Sequence, residues 1–356
     1  MTETEAFRPN WTSPPGDTIA DVLDEKKLSL AAFSKRMGCS IDDAKDLVAG
    51  RMVMSVGLAR KLHAELGATV EFWMSRDFHY RESVARLSGV ENNAWIAELP
   101  LGDMVRFGWM RPVAAAQEVA ACLRFFDVPD IGAWRAKYAL LQERVAFRSS
   151  PSFESRPGAV AAWLRQGEIE AQSVKCSAWN QKLFERQLAE VRSLTRRKDP
   201  AKFVPTLRDL CAAAGVAVVI VRAPNGCRAS GATHFLSDRQ ALLQLSFRYL
   251  ADDQFWFSFF HEAGHLLLHG RQGFFLEGMG TAATPQELEA NSFAERILIP
   301  PRWHDEMLSL PTSSHEVIKF ARKIGIAPGI VVGQLQFHRR VKPSHLNGLK
   351  RRFMWS

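Results

Sequence analysis

Between Phe255 and Leu268 the chain reads FWFSFFHEAGHLLL, an apolar run interrupted by His261, Glu262 and His265. Its length suits a helix of about four turns, opened by Asp252 or Asp253 as cap, and its apolar character places that helix inside a core. Residues four apart on a helix lie about 40° from each other, so His261 and His265 project side by side, with Glu262 next to them. Burying a lone carboxylate among phenylalanines and leucines costs several kcal/mol, on the order of what a folded domain can spare. A divalent cation resolves that conflict. Two imidazoles suit zinc, and a third protein ligand with one open position makes a catalytic site in which water becomes acidic near pH 7. Glu262 is then placed to take the water's proton and pass it to a leaving amine.

The third ligand is expected on a later helix. PQELEANSFAERILIP, from Pro285 to Pro300, is helical by pattern, opening on Pro285 and stopping before Pro300. It offers Glu287, Glu289 and Glu295, and spacing alone does not choose among them. A third histidine ten residues after the first is excluded because position 271 is Arg. His269 lies one turn beyond His265, too far along to share the same ion, and reads as an outer partner of the site or a helix cap. Upstream, a helix from Thr206 to Ala214 leads into Val216–Val221, Ala232–Leu236 and Ala241–Phe247, three runs of strand length separated by turn residues. A small sheet before the metal helix gives an α+β zincin-like domain.

The pair HEAGHLLLH and EANSFAERILIP resembles the ImmA/IrrE family of metallopeptidases over residues 205–340. That resemblance implies a minimal gluzincin: His261 and His265 as ligands, Glu289 directly before Ala290-Asn291 as the third, and Glu262 as base. It implies Zn2+, with Mn2+ as another ion the donor set accepts, and a regulatory endopeptidase that cuts a helix-turn-helix repressor under stress. The tail GIAPGIVVGQLQFH is similar to the closing helices of members with an N-terminal helix-turn-helix. By fold analogy, substrate is expected as an added strand along the sheet edge near Gly231–Phe235. Tyr249, Arg248 and His234 are upstream candidates for stabilising the oxyanion, each more often structural.

At the other end, Asp17, Ser29, Ser40 and Ser55 each precede a short amphipathic helix, and Gly38, Gly50 and Gly67 stop three of them. Short helices joined by tight turns form a helix-turn-helix, and the segment 14–82 resembles the HigA-like antitoxin group, including its run GATVEFWM. DNA contact is expected through residues 17–66 and a toxin is a candidate partner, with homodimerisation as a common companion of the motif. Charge argues the other way. The expected recognition helix carries Asp42, Asp43 and Asp46 against Lys45, and residues 17–80 hold nine Lys/Arg and ten Asp/Glu, whereas a DNA-gripping module is normally basic. Protein docking is the competing use of this module.

The chain then divides into a helix-turn-helix domain (1–84), a helical connector (85–204) broken at Pro112, Pro129, Pro151, Pro157 and Gly167, and the zincin-like domain (205–356). Trp109, Trp134, Trp163 and Trp179 in the connector read as core rather than as a ligand cage. The net charge of +8 comes largely from the C-terminus, where Arg339, Arg340, Lys342, Lys350, Arg351 and Arg352 face no acidic residue and read as a solvated tail. No run of eighteen apolar residues occurs and the first sixteen residues are polar, so a cytoplasmic protein without a membrane span is expected. Five scattered cysteines with no CxxC pair form neither a disulfide framework nor a thiolate site. Two functions remain: a metallo-endopeptidase acting on a protein substrate, or an antitoxin-like DNA-binding regulator whose metal site is structural or sensory.

Overall fold

The computed structural model describes residues 11–139, 156–270, 275–276 and 284–354; the expected break at Pro151 lies outside them. Two compact units emerge, Met1–Trp95 and Ile96–Ser356. The expected 84/85 boundary falls inside one helix, Val70–Glu98.

In the first unit, helices Pro15–Glu25, Leu30–Met37, Ile41–Val48 and Val56–Leu66 precede that long helix. Ser29, Ser40 and Ser55 cap their helices by accepting backbone N–H bonds three residues on. Asp17 instead sits in the first turn of a helix opened by Pro15. Gly38, left-handed at φ 62°, makes the tight turn between Leu30–Met37 and Ile41–Val48. Ile19, Phe33, Ala44, Leu47, Leu62 and Trp73 fill the core. Asp42 and Asp43 are exposed. Lys45 pairs with Asp42 at 2.8 Å and Arg51 with Asp46 at 2.6 Å, so the local cations are already engaged by the carboxylates of this helix.

The second unit is built around a four-stranded mixed sheet: β1 (Val216–Ile220), β2 (Gly231–Ser237), β3 (Gln240–Leu245) and β4 (Phe275–Leu276), in the order β1-β3-β2-β4. β1 runs parallel to β3, while β2 is antiparallel to both β3 and β4. The motif helix is Asp252–Leu268 and the glutamate helix Pro285–Leu298. Both faces of the sheet are covered, which is why β1 and β3 read as continuous apolar runs. On one face Val216, Val218, Ala241, Leu243 and Leu245 share a core with Trp256, Phe259 and Phe260 of the motif helix. On the other, helix Pro157–Gln172 lies so close that a Cβ on Gly167 would meet the Gln244 side chain at 1.8 Å. There Gln244 Nε2 donates to the Trp163 carbonyl at 2.7 Å, and Trp163 Nε1 donates to Val221 at 2.9 Å.

These contacts revise the expected connector. Phe184, Leu188 and Val191 of helix Gln181–Leu194 and Phe203 of helix Pro200–Ala213 belong to the same core as the motif helix. Arg192 donates to the carbonyls of Ile297 and Leu298, closing the end of the glutamate helix. Helix Pro200–Ala213 also begins earlier than expected and runs through Pro205. Trp134 and Trp163 are fully buried.

The basic tail is not solvated throughout. Lys350 Nζ lies 2.6 Å from buried Asp253, the Arg351 N–H donates to Asp252 at 3.0 Å, and Arg352 bridges Ala251. Phe353 packs on Phe203, Phe247 and Phe255. The motif helix is therefore opened by Ala251, with Asp252 and Asp253 in its first turn holding the C-terminal segment rather than capping. The residues packed over them include Gly329 and Gly333, where a Cβ would meet Asp252 at 2.4 Å and Asp253 at 2.9 Å.

Burial pushes the Asp252 carboxyl up to about 6, against the hydrogen bond from Arg351. The folded state therefore binds this proton more tightly than the unfolded chain, whose value is 3.8. Stability contributed by the protonated group is present below that unfolded value and is lost as pH rises through the folded one. Asp252→Asn should gain stability over wild type as pH rises from 4 to 7, by up to ~3 kcal/mol, in urea unfolding followed at each pH. A difference independent of pH would contradict this.

Candidate metal centre

The motif helix and the glutamate helix cross at Gly264, where a Cβ would lie 3.0 Å from Phe293 and 3.3 Å from the Ala290 backbone. The small pair Gly264 and Ala290 sets this close approach, and it brings the polar face of one helix onto the other. His261 Nε2 and His265 Nε2 face each other at 3.0 Å. Glu287 spans both, with one oxygen 3.1 Å from His261 Nε2 and the other 3.5 Å from His265 Nε2. These ligand atoms form a compact His-His-Glu group. His261 and His265 are buried, and Glu287 is half-buried.

Glu289 is placed elsewhere. Residues two apart on a helix point about 200° from each other, so Glu287 and Glu289 cannot both turn to the same centre. Glu289 is 61% exposed in its side chain and contacts His269 Nε2 at 2.9 Å. Glu295, the remaining candidate, meets His338 and His304. The geometry thus replaces Glu289 by Glu287 beside the two histidines.

The hydrogen bonds around the ring nitrogens decide what the centre can hold. His261 Nδ1 lies 2.9 Å from Asn291 Oδ1, an acceptor, so the ring proton sits on Nδ1 and the Nε2 lone pair faces Glu287. On the other side Glu289 accepts from His269 Nε2, which leaves His269 Nδ1 to accept from His265 Nδ1 at 3.0 Å. His265 then also turns a lone pair inward. Two lone pairs and a carboxylate converging within about 3.5 Å repel one another unless a cation sits among them, and the donor set is one that zinc accepts. Burial lowers the affinity of His265 for a proton, outweighing the pull of Glu287. Neutral imidazole beside an ionised carboxylate is the protonation state a divalent ion requires.

Glu262 is fully buried, against the first residue of β2. A Cβ on Gly231 would lie 2.6 Å from its Oε1 and 2.7 Å from its Cγ, so glycine alone admits the carboxylate there. Phe275 of β4 stacks on His265 at 4.1 Å. The contacts of Gly231 with Glu262, of Asn291 with His261 and of Phe275 with His265 escaped the reading of the sequence. A glycine at the head of a strand is a signal of close approach, and Asn291, four residues after Glu287, shares its helix face.

The expected substrate edge needs correction, because β4 pairs with β2 at Ala232 and Thr233. The upstream oxyanion candidates have other partners: His234 lies 3.9 Å from Glu168, Arg248 donates to the Arg228 carbonyl and lies over the Tyr249 ring.

Residues 216–333, from β1 into the helix Pro328–Phe337, match the IrrE N-terminal-like domain of peptidase family M78. A 61-residue stretch is 31% identical to the uncharacterized HTH-type transcriptional regulator YddM of Escherichia coli (strain K12). That match covers 17% of this chain and spans 65% of the relative's length. No helix among the described residues is long and apolar enough to cross a membrane. The chain is an α+β protein whose residues 216–333 match the IrrE N-terminal-like domain of peptidase family M78 and which shares a 61-residue similarity with an HTH-type regulator.

Proposed function

We propose that the chain is a metal-dependent endopeptidase with a regulatory role, hydrolysing a peptide bond in a protein substrate. The observation that carries this reading is the convergence of His261, His265 and Glu287 next to a buried Glu262. His261, His265 and Glu287 are the ligands in this reading, with zinc as the ion and manganese as an alternative. The ion supplies Lewis-acid polarisation of the scissile carbonyl and makes water reactive at neutral pH. Glu262 acts as general base, removing a proton from the attacking water and delivering it to the leaving amine nitrogen. Asn291 and the pair His269–Glu289 hold the two ligand rings in the required tautomers, and Gly231 gives Glu262 its room. A helix-turn-helix repressor is the proposed substrate class, supported by the resemblance to ImmA/IrrE peptidases and by the regulator-like N-terminus. Cytoplasmic action and a role in stress response belong to the same reading.

The similarity to a transcriptional regulator favours a second reading, in which the N-terminal unit binds DNA and the metal is structural or sensory. The carboxylates exposed on helix Ile41–Val48 oppose phosphate contact there and favour protein docking.

Three outcomes test these assignments. Glu287→Ala should weaken the tightest zinc equivalent by more than the ~10–100-fold typical of an outer partner, while Glu289→Ala should stay within that range. Competition with a fluorescent chelator measures both, and the reverse order would restore Glu289 as ligand. Glu262→Gln should keep zinc yet slow cleavage of purified repressors encoded beside the gene by about 10²–10⁴-fold. Cleavage that survives this change ends the hydrolytic reading; no cleavage by wild type, with a salt-steep shift of operator DNA, supports the second. Gly231→Ala should retain zinc and lower kcat, because the added methyl displaces Glu262; an unchanged kcat would remove Gly231 from the account.

A further inference from the structure

A second group of metal-ligand type lies outside the centre described above. Glu295 is on the glutamate helix two turns beyond Glu287, about 12 Å along the axis at 1.5 Å per residue. His304 opens the short helix His304–Leu308, and His338 closes the helix Pro328–Phe337. Two neighbouring elements and a third more than thirty residues later thus deliver two imidazoles and a carboxylate to one place. His338 Nε2 lies 2.5 Å and His304 Nδ1 3.6 Å from the same Glu295 oxygen. The two rings meet edge-on, with centroids 5.1 Å apart, and the ligand atoms all lie within 4.8 Å of one another. A tetrahedral zinc with bonds of about 2.0–2.1 Å needs donors about 3.3 Å apart, inside the range these atoms span.

We infer that Glu295, His304 and His338 form a second divalent-cation site, suited to zinc or a similar borderline metal. The three side chains are between 23% and 32% exposed, buried enough to be held by their neighbours and open enough for the ion to enter. They line a hollow shared with Ser292, Asp305 and Arg296, which leaves room for water or the Asp305 carboxylate as a fourth ligand. An ion there takes the place of the hydrogen bond between His338 and Glu295. An ion there ties the glutamate helix to the helix Pro328–Phe337, and so braces the element that carries Glu287. Nothing in this site depends on peptidase activity.

The test uses the full chain without an affinity tag, stripped with chelator and titrated with Zn2+ and with Co2+. Wild type should take up two equivalents, and the visible Co2+ absorption should build in two steps. His304→Ala/His338→Ala should retain one equivalent, His261→Ala/His265→Ala should retain the other, and the fourfold variant should take up none. Glu295→Gln, which keeps the side-chain shape, should weaken the second equivalent at least ~10-fold without unfolding the chain. In the His261→Ala/His265→Ala protein, zinc should still raise Tm, and adding His304→Ala/His338→Ala should abolish that rise. One equivalent in wild type that survives in His304→Ala/His338→Ala would overturn the inference, as would no uptake by the His261→Ala/His265→Ala protein.

Discussion

Three electron-pair donors held against one another inside a helix crossing are the constraint on which the second unit depends. His261 and His265 present their Nε2 atoms at 3.0 Å to each other and at 3.1 and 3.5 Å to the Glu287 carboxylate. Without a cation this is a repulsive arrangement in a dry environment, where electrostatic terms are large. It persists because packing elsewhere enforces it. Gly264 and Ala290 let the two helices approach until the glutamate reaches both rings, and the aromatic core of Trp256, Phe259 and Phe260 fixes the motif helix on the sheet.

The surroundings supply orientation as well as position. Asn291 sets the His261 proton on Nδ1, and Glu289 does the same for His265 through His269. A metal site needs such outer partners because a ring in the wrong tautomer offers a proton where a lone pair is required. At the opposite end of the motif helix, Asp252 and Asp253 are buried beneath glycines and hold the C-terminal segment through Arg351 and Lys350. The C-terminus is thus part of the scaffold on which the centre is built.

The motif helix was legible from sequence because its signal is local: apolar periodicity, with two histidines four apart. Strands β1, β2 and β3 were legible for the same reason, within a residue or two at their ends. Glu287 was not, because the choice among three glutamates depends on which face of their helix meets Gly264, and that is decided by a residue more than twenty positions away. Adjacency to Ala290-Asn291 pointed to Glu289, which stands on the other side of the helix. Charge counting likewise misread Lys350 and Arg351 as solvated, since their partners Asp252 and Asp253 are about a hundred residues earlier. The two-residue strand β4 carries no periodic signal at all, and the sheet edge it covers looked free. In the first unit the serine caps were readable, while the long helix through residue 84 hid the division between units.

The most direct measurement is anomalous diffraction at the zinc absorption edge from zinc-loaded crystals of the full chain. The account predicts a peak about 2.0–2.2 Å from His261 Nε2, His265 Nε2 and a Glu287 oxygen, with Glu289 bonded to His269 and not to the ion. A peak coordinated by Glu289, or none between the two histidines, would contradict it.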